Sequence, residues 1–144
     1  MSKAVKLEIT DDFNFPLIGI VTTEPIYRLG FLINEALRYS LKENRPLKVY
    51  HTKRQLVQEF PLFSEYSDEC CAVVHLIQNK CLQGVLIEEQ KQVDFWLKWE
   101  HTPIEPNRIL EALKEIKSIN LAFEVKPGSL KSKNRLLFTT EQQD

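Results

Sequence analysis

CAVVHLIQNKCLQGVLIEEQKQVDFWLKW, residues 71–99, carries the architecture of this 144-residue chain. Its first run, 71–78, is apolar on both alternating sets of positions, the pattern of a central strand buried on its two faces. A second run, 82–87, and a third, 93–99, follow closely, and Asn79-Lys80 reads as a tight turn between the first two. Successive side chains of a strand alternate, so Val93, Phe95, Leu97 and Trp99 share one face and Asp94, Trp96, Lys98 and Glu100 the other. Trp96 breaks an otherwise polar face.

Working outward, Leu17, Ile18, Ile20 and Val21 form a short β-branched strand, and residues 4–9 begin another. Pro25 stands where first-turn helix prolines stand, with Thr23 or Glu24 as cap. Ile26, Leu29, Ile33, Ala36 and Leu37 recur at helical spacing and predict an amphipathic helix over 25–42, stopped by Asn44-Arg45-Pro46. Leu47, Val49 and His51 alternate with Lys48 and Tyr50 in a strand, and an edge segment is expected near 55–60, before Pro61. On the other side, Thr102-Pro103-Ile104-Glu105 reads as a capping box for a helix over 104–117, or one starting nearer Asn107 because of Pro106. Leu121, Phe123 and Val125 alternate in a last strand. Ser129 is expected to cap a short helix ending near Phe138.

The order is roughly β-α-β-β-β-β-β-α-β. It predicts an α+β two-layer sandwich, a mostly antiparallel sheet of six to seven strands with two amphipathic helices, in a single domain over 1–138 with a frayed tail at 139–144. Two helices cannot cover both faces of such a sheet. The cover needed by 71–78 and Trp96 is therefore expected from a second copy, in a homodimer.

The net charge of −1 removes any global attraction to nucleic acid or anionic lipid. An apolar run of about 20 residues, which a membrane helix needs, does not occur. MSKAVKLEITDD has no apolar core of a secretory signal, so a cytosolic protein is expected, with no membrane partner. Charge is nevertheless uneven: Glu59, Glu65, Asp68 and Glu69 are clustered, and Lys126, Lys131, Lys133 and Arg135 form a basic segment. Three cysteines cannot all pair in one chain, and adjacent Cys70 and Cys71 read as small buried hydrophobes.

Little in the sequence spells chemistry. His51, His75 and His101 lie in no metal spacing. Cys71 and His75 on one strand face stand about 13 Å apart at ~3.3 Å per residue, too far for one zinc. No metal and no cofactor is expected, since GxxxxGK[ST], GxGxxG and GxSxG are all missing from the sequence. His75 reads as a core histidine with a hydrogen-bonded ring.

One motif does have a counterpart. Residues 87–95, IEEQKQVDF, resemble the bacterial family whose signature is IPExxxVDY. Ile87, Glu89, Val93 and Asp94 match, whereas Glu88 replaces the proline and Phe95 the tyrosine. The opening LIGI…YRLGFLINEAL and the closing INLAFEVKPGSLKSKNRLLF are similar to the ends of that family. The resemblance implies a small cytosolic bacterial protein and no particular reaction. Proline at position 88 would suit a turn, and Phe95 has no phenol to serve as acid or nucleophile, so the motif reads as structural.

These readings lead first to a non-enzymatic interaction or regulatory protein. The alternative is a nucleic-acid-associated factor gripping phosphates with Lys126, Lys131, Lys133 and Arg135 and stacking bases on Trp96 and Tyr50. A small hydrolase or isomerase using Glu89 and Asp94 as acid and base comes last, because it needs a cleft that pushes their pKa values apart. The bland assignment pairs Asp94 with Lys98 or a cross-strand cation and gives Glu89 the N–H groups of its turn.

Overall fold

A computed structural model describes residues 14–66, 73–100 and 104–137. Strands β1 (Leu17–Thr22), β2 (Lys42–His51), β3 (Leu56–Tyr66), β4 (Val73–Gln78), β7 (Phe95–Glu100) and β8 (Ile119–Glu124) form one antiparallel sheet in the order β2-β3-β4-β7-β1-β8. β5 (Lys80–Cys81) and β6 (Gly84–Val85) make a separate small hairpin. Helices α1 (Ile26–Leu37) and α2 (Pro106–Lys114) complete the α+β architecture expected from the sequence. The strand expected at 4–9, Cys70, Cys71, the Thr102 cap and the 139–144 tail lie outside the described residues.

The described part of the apolar run, 73–78, behaves as its composition demands. Val74 and Leu76 of β4 join Ile18, Ile20, Phe95, Leu97 and Trp99 beneath Leu29 and Ile33 of α1 and Ile109 and Leu113 of α2. Ile77 faces the opposite side with Leu17, Phe60, Leu62 and Trp96. That second face is covered by the chain itself: Leu86, Ile87 and Val93 from one crossing segment, and Leu130 and Leu136 from a strap at 127–136. The cover that the sequence reading assigns to a second copy is thus supplied internally. Each such side chain, fully buried, contributes about 1.5–3 kcal/mol.

Several element boundaries move. The 82–87 strand is replaced by the two-residue β5 and β6, around the fully exposed Leu82. Leu86 and Ile87 then leave strand geometry to lie across the sheet, so their hydrophobicity marks cover and not a ladder. Val93 precedes β7 and packs with Trp96, on the face opposite Phe95, Leu97 and Trp99.

Helix α1 ends well short of Pro46. Arg38 takes the left-handed conformation (φ 59°) and its N–H closes on the Asn34 carbonyl. The Asn34 side chain then holds Leu41 from both sides, accepting from its N–H (2.8 Å) and donating to its carbonyl (3.2 Å). Pro46 and Pro61 instead mark a bulge: Asn44 pairs with Leu62 and Leu47 with Phe60, leaving Arg45 and Pro46 opposite Pro61. A proline is tolerated there because no regular ladder bond is lost. Helix α2 starts at Pro106, with Glu105 as cap, and the basic segment winds into two short 3-10 turns, Pro127–Ser129 and Lys133–Leu136.

Packing on the second face leaves no room at Gly19. A Cβ there would lie 3.2 Å from the rings of Phe123 and Trp96 and 3.3 Å from Val93. Gly19→Ala is expected to destabilise the fold by about 1–3 kcal/mol in chemical denaturation, since a packed core resists an added methyl. Gly128→Ala, which meets nothing within 4 Å, is the matched control and should be near neutral.

Candidate functional site

The motif and its surroundings form a stitched polar seam between the sheet and its second-face cover. At its centre is Asn79, the residue after β4, fully buried. Its Nδ2 donates to the carbonyls of Gln90 (3.1 Å) and Val93 (2.8 Å). Its Oδ1 accepts from the Ile87 N–H (3.0 Å) and the Trp96 indole N–H (2.9 Å). Its backbone donates to Asp94 O and accepts from Leu86 N. A primary amide has two donors and two acceptor lone pairs, so this side chain is saturated. Read in the sequence as half of a tight turn, Asn79 is the residue that ties IEEQKQVDF to the sheet.

The motif residues are then accounted for one by one. Ile87 and Val93 are buried in the second-face core, and Phe95 in the helix-face core. Residues Glu88–Gln90 form a 3-10 turn. Asp94 accepts the Thr22 N–H through Oδ2 (2.9 Å) and the Lys80 ammonium through Oδ1 (2.9 Å). It therefore ties β1 to β5, and Lys80, not Lys98, is its cation. Glu89 spans to the strap, accepting the N–H (2.7 Å) and hydroxyl (2.9 Å) of Ser132. Desolvation pushes the Glu89 carboxyl upward, but hydrogen bonds from Ser132 together with the backbone N–H groups of Glu89 and Lys131 outweigh it, and its pKa is lowered. A lowered value suits a permanent acceptor and does not suit a general acid.

Trp96 is fully buried and hydrogen-bonded to Asn79, which corrects its assignment as a stacking platform. Tyr50 is exposed, at 59%. Of the basic residues, Arg135 donates through Nη1 to the carbonyls of Val85 (3.1 Å) and Leu86 (2.9 Å), so it pins the strap onto the crossing segment. Lys126 and Lys131 are exposed, and Lys133 is half-buried and reaches the Gly128 carbonyl at 3.5 Å.

A second polar cluster has no counterpart in the sequence reading beyond His75. Ser64 on β3, His75 on β4 and Lys98 on β7 are cross-strand neighbours on the second face, with Glu100 two residues beyond Lys98. Ser64 Oγ lies 2.6 Å from His75 Nδ1, His75 Nε2 3.5 Å from Glu100 Oε2, and Lys98 Nζ 2.9 Å from that same oxygen. The carboxylate facing Nε2 favours the proton there, so the Ser64 hydroxyl donates to Nδ1. Lys98, 2% exposed, also donates to the Leu136 carbonyl at the end of the strap and stands 4.7 Å over the Phe15 ring. The row resembles a serine–histidine–carboxylate relay in which Ser64 keeps 4% of its surface and His75 none, and Ser64 is among the residues that line a surface cavity of about 490 Å³. Through Lys98 and the Leu136 carbonyl it also clamps the strap.

Electrostatics of that clamp set a pH dependence. Burial pushes the Glu100 carboxyl up, but hydrogen bonding to His75 and the charge of Lys98 overcome it and hold the pKa at about 2. Burial pushes the His75 imidazole below its ordinary value, more strongly than Glu100 raises it. In the unfolded chain the imidazole takes up a proton near pH ~6.5 and the carboxylate near ~4.3, above their folded values. Both groups therefore bind more protons unfolded, and stability must fall as pH is lowered. Urea titrations should show a first decline below pH ~6.5 from His75 and a steeper one below ~4.5 from Glu100, worth about 3 kcal/mol by pH 2. Glu100→Gln should remove most of the steeper decline and leave the part that Glu89 contributes.

Surface cavities of about 490–620 Å³ are lined by residues of β2 and the strap, of the 124–128 turn, of the β2–β3 end and of the two helices, and neither Glu89 nor Asp94 lines these. Among the described residues no group of three or more His, Cys, Asp or Glu side chains is placed to hold a metal ion. No described helix is long and apolar enough to cross a membrane. No family model, curated protein or solved structure matches this chain.

Proposed function

We propose that this chain is a non-enzymatic protein-interaction or regulatory module of the bacterial cytoplasm, related to the IPExxxVDY proteins and able to form a homodimer. The observation that supports this reading is the commitment of both motif acids to internal work. Asp94 is spent on Thr22 and Lys80, and Glu89 on Ser132, away from the cavities described above. General acid–base chemistry needs such groups within reach of a substrate proton.

Exposed apolar surface points the same way. Tyr27 (69%) and Phe31 (53%) share one flank of α1, four residues apart, with the Arg28 guanidinium 5.9 Å from the Phe31 ring. Tyr50 and Val57 face each other across β2 and β3, both exposed. Aromatic side chains left outside a completed core are the residue types that anchor protein interfaces. Light scattering at micromolar concentration should give twice the 16.9 kDa chain mass for the native protein and the single mass for Tyr27→Glu/Phe31→Glu. A native particle of one chain mass at every concentration would remove the homodimer.

A further inference from the structure

The outer edge of β2 forms one wall of a groove of about 560 Å³, lined by the seven consecutive residues from Leu47 to Lys53. Glu88, Asn134, Arg135 and Leu137 make the opposite wall. β2 is the outermost strand of its sheet and pairs, among the described residues, only with β3. An edge strand presents a row of outward N–H and C=O groups that a further strand can take up. From Leu47 to His51, beyond the Pro46 bulge, the register with β3 is unbroken and the stretch holds no proline.

Charge selects the occupant. Lys48, Lys53 and Arg135 line the groove, and its one acid, Glu88, faces the His51 ring at 3.3 Å. A second copy's β2 is a poor fit, because it brings three cations, Lys42, Arg45 and Lys48, to a groove already basic, with Glu43 the sole acid of β2. Like charges facing one another across a ladder are destabilising. A strand carrying carboxylates meets the opposite situation, and exposed Tyr50 and Leu137 add apolar contact at either wall.

We propose that this groove binds an extended acidic peptide segment of a partner protein, added as a strand to β2 at Leu47–His51 with its carboxylates toward Lys48 and Lys53 and its alternate, apolar side chains toward Leu137 and the strap. The assignment rests on the reading of the chain as a protein-interaction module and names its partner chemistry. Main-chain hydrogen bonds to the edge supply affinity, and the cations supply direction and salt dependence.

The test is a titration of the isotope-labelled full chain with a capped octapeptide of alternating valine and glutamate, followed by amide chemical shifts. Saturable shifts are expected at residues 47–53 and 134–137. Affinity should weaken at least about ten-fold for Lys48→Glu/Lys53→Glu, for a lysine-for-glutamate peptide, and for a peptide N-methylated at alternate residues. The two lysines are exposed, so an unchanged thermal melt of the double variant separates lost binding from lost folding. Equal binding of the N-methylated peptide, or saturation of the same residues by inorganic tripolyphosphate, would overturn the strand in favour of a plain anion site. Shifts confined to Tyr27–Phe31 would overturn the groove and leave the interaction reading standing. No shift with any peptide, together with a particle of one chain mass, would overturn both.

Discussion

Asn79→Ala is expected to destabilise the protein by about 3–5 kcal/mol, because it strips partners from buried groups that each cost about 1–3 kcal/mol unsatisfied. The groups are the Ile87 N–H, the Trp96 indole N–H and the carbonyls of Gln90 and Val93. For a chain of this length the melting temperature should drop by about 10 °C or more. The loss is not confined to energy. Asn79 carries both ends of the crossing segment, so hydrogen exchange should accelerate most at Leu86–Val93 and then at the strap that Glu89 and Arg135 hold to it. Asn79→Asp separates the two halves of the argument. It keeps an acceptor for Ile87 and Trp96 but turns the donors into a carboxylate aimed at two carbonyls, and should be as damaging as alanine at neutral pH. A melt of either variant within about 2 °C of native would show that the seam is held by apolar packing alone.

Lys98→Met is the second large effect. Lys98 and Glu100 form a pair in which the ammonium is almost wholly covered, and the ammonium also closes the strap through Leu136 O. Removing one partner of a buried pair costs about 3–5 kcal/mol, since the other charge stays behind in a poor solvent. The double variant Lys98→Met/Glu100→Gln should recover most of that loss, because it removes both desolvation penalties together. A non-additive cycle of this kind is the signature of direct coupling, and it is read in urea denaturation of the four proteins. Additive losses would mean that Lys98 acts through its methylene contacts and the Phe15 ring, 4.7 Å away. The strap's own contacts should report the single variant first, through faster exchange at Lys133–Leu136.

Much of the scaffold was legible in the chain. The doubly apolar run at 71–78 required a central strand, and β4 is one, between β3 and β7. Leu29 and Ile33, and Ile109 and Leu113, lie at the spacing that turns one helical stripe toward a sheet, and all four are buried. In the sequence alone Pro46 and Pro61 mark only an end and an interruption, because a single proline says no more than that a regular bond is missing. Their placement opposite one another, which converts them into a bulge, is a long-range fact.

The candidate site was legible only in its letters. IEEQKQVDF is polar enough to suggest an acid–base pair, and nothing local distinguishes an acid that waits for a substrate from one that holds Ser132 across 43 residues of chain. Asn79 gave no signal, since one asparagine beside a lysine fits any turn. Lys98 looked like the polar half of an alternating strand, and its burial depends on the strap arriving from Leu136.

Local periodicity, set by the 3.6-residue turn of a helix and the two-residue repeat of a strand, determined the two helices, the central strands and the layer that the helices cover. Which segments would lie over the other face, and hence which acids would be spent inside and which strand edge would stay open, was decided by contacts far apart in sequence. Burial and hydrogen bonding are properties of what surrounds a side chain, and those surroundings exist only once the sheet has assembled.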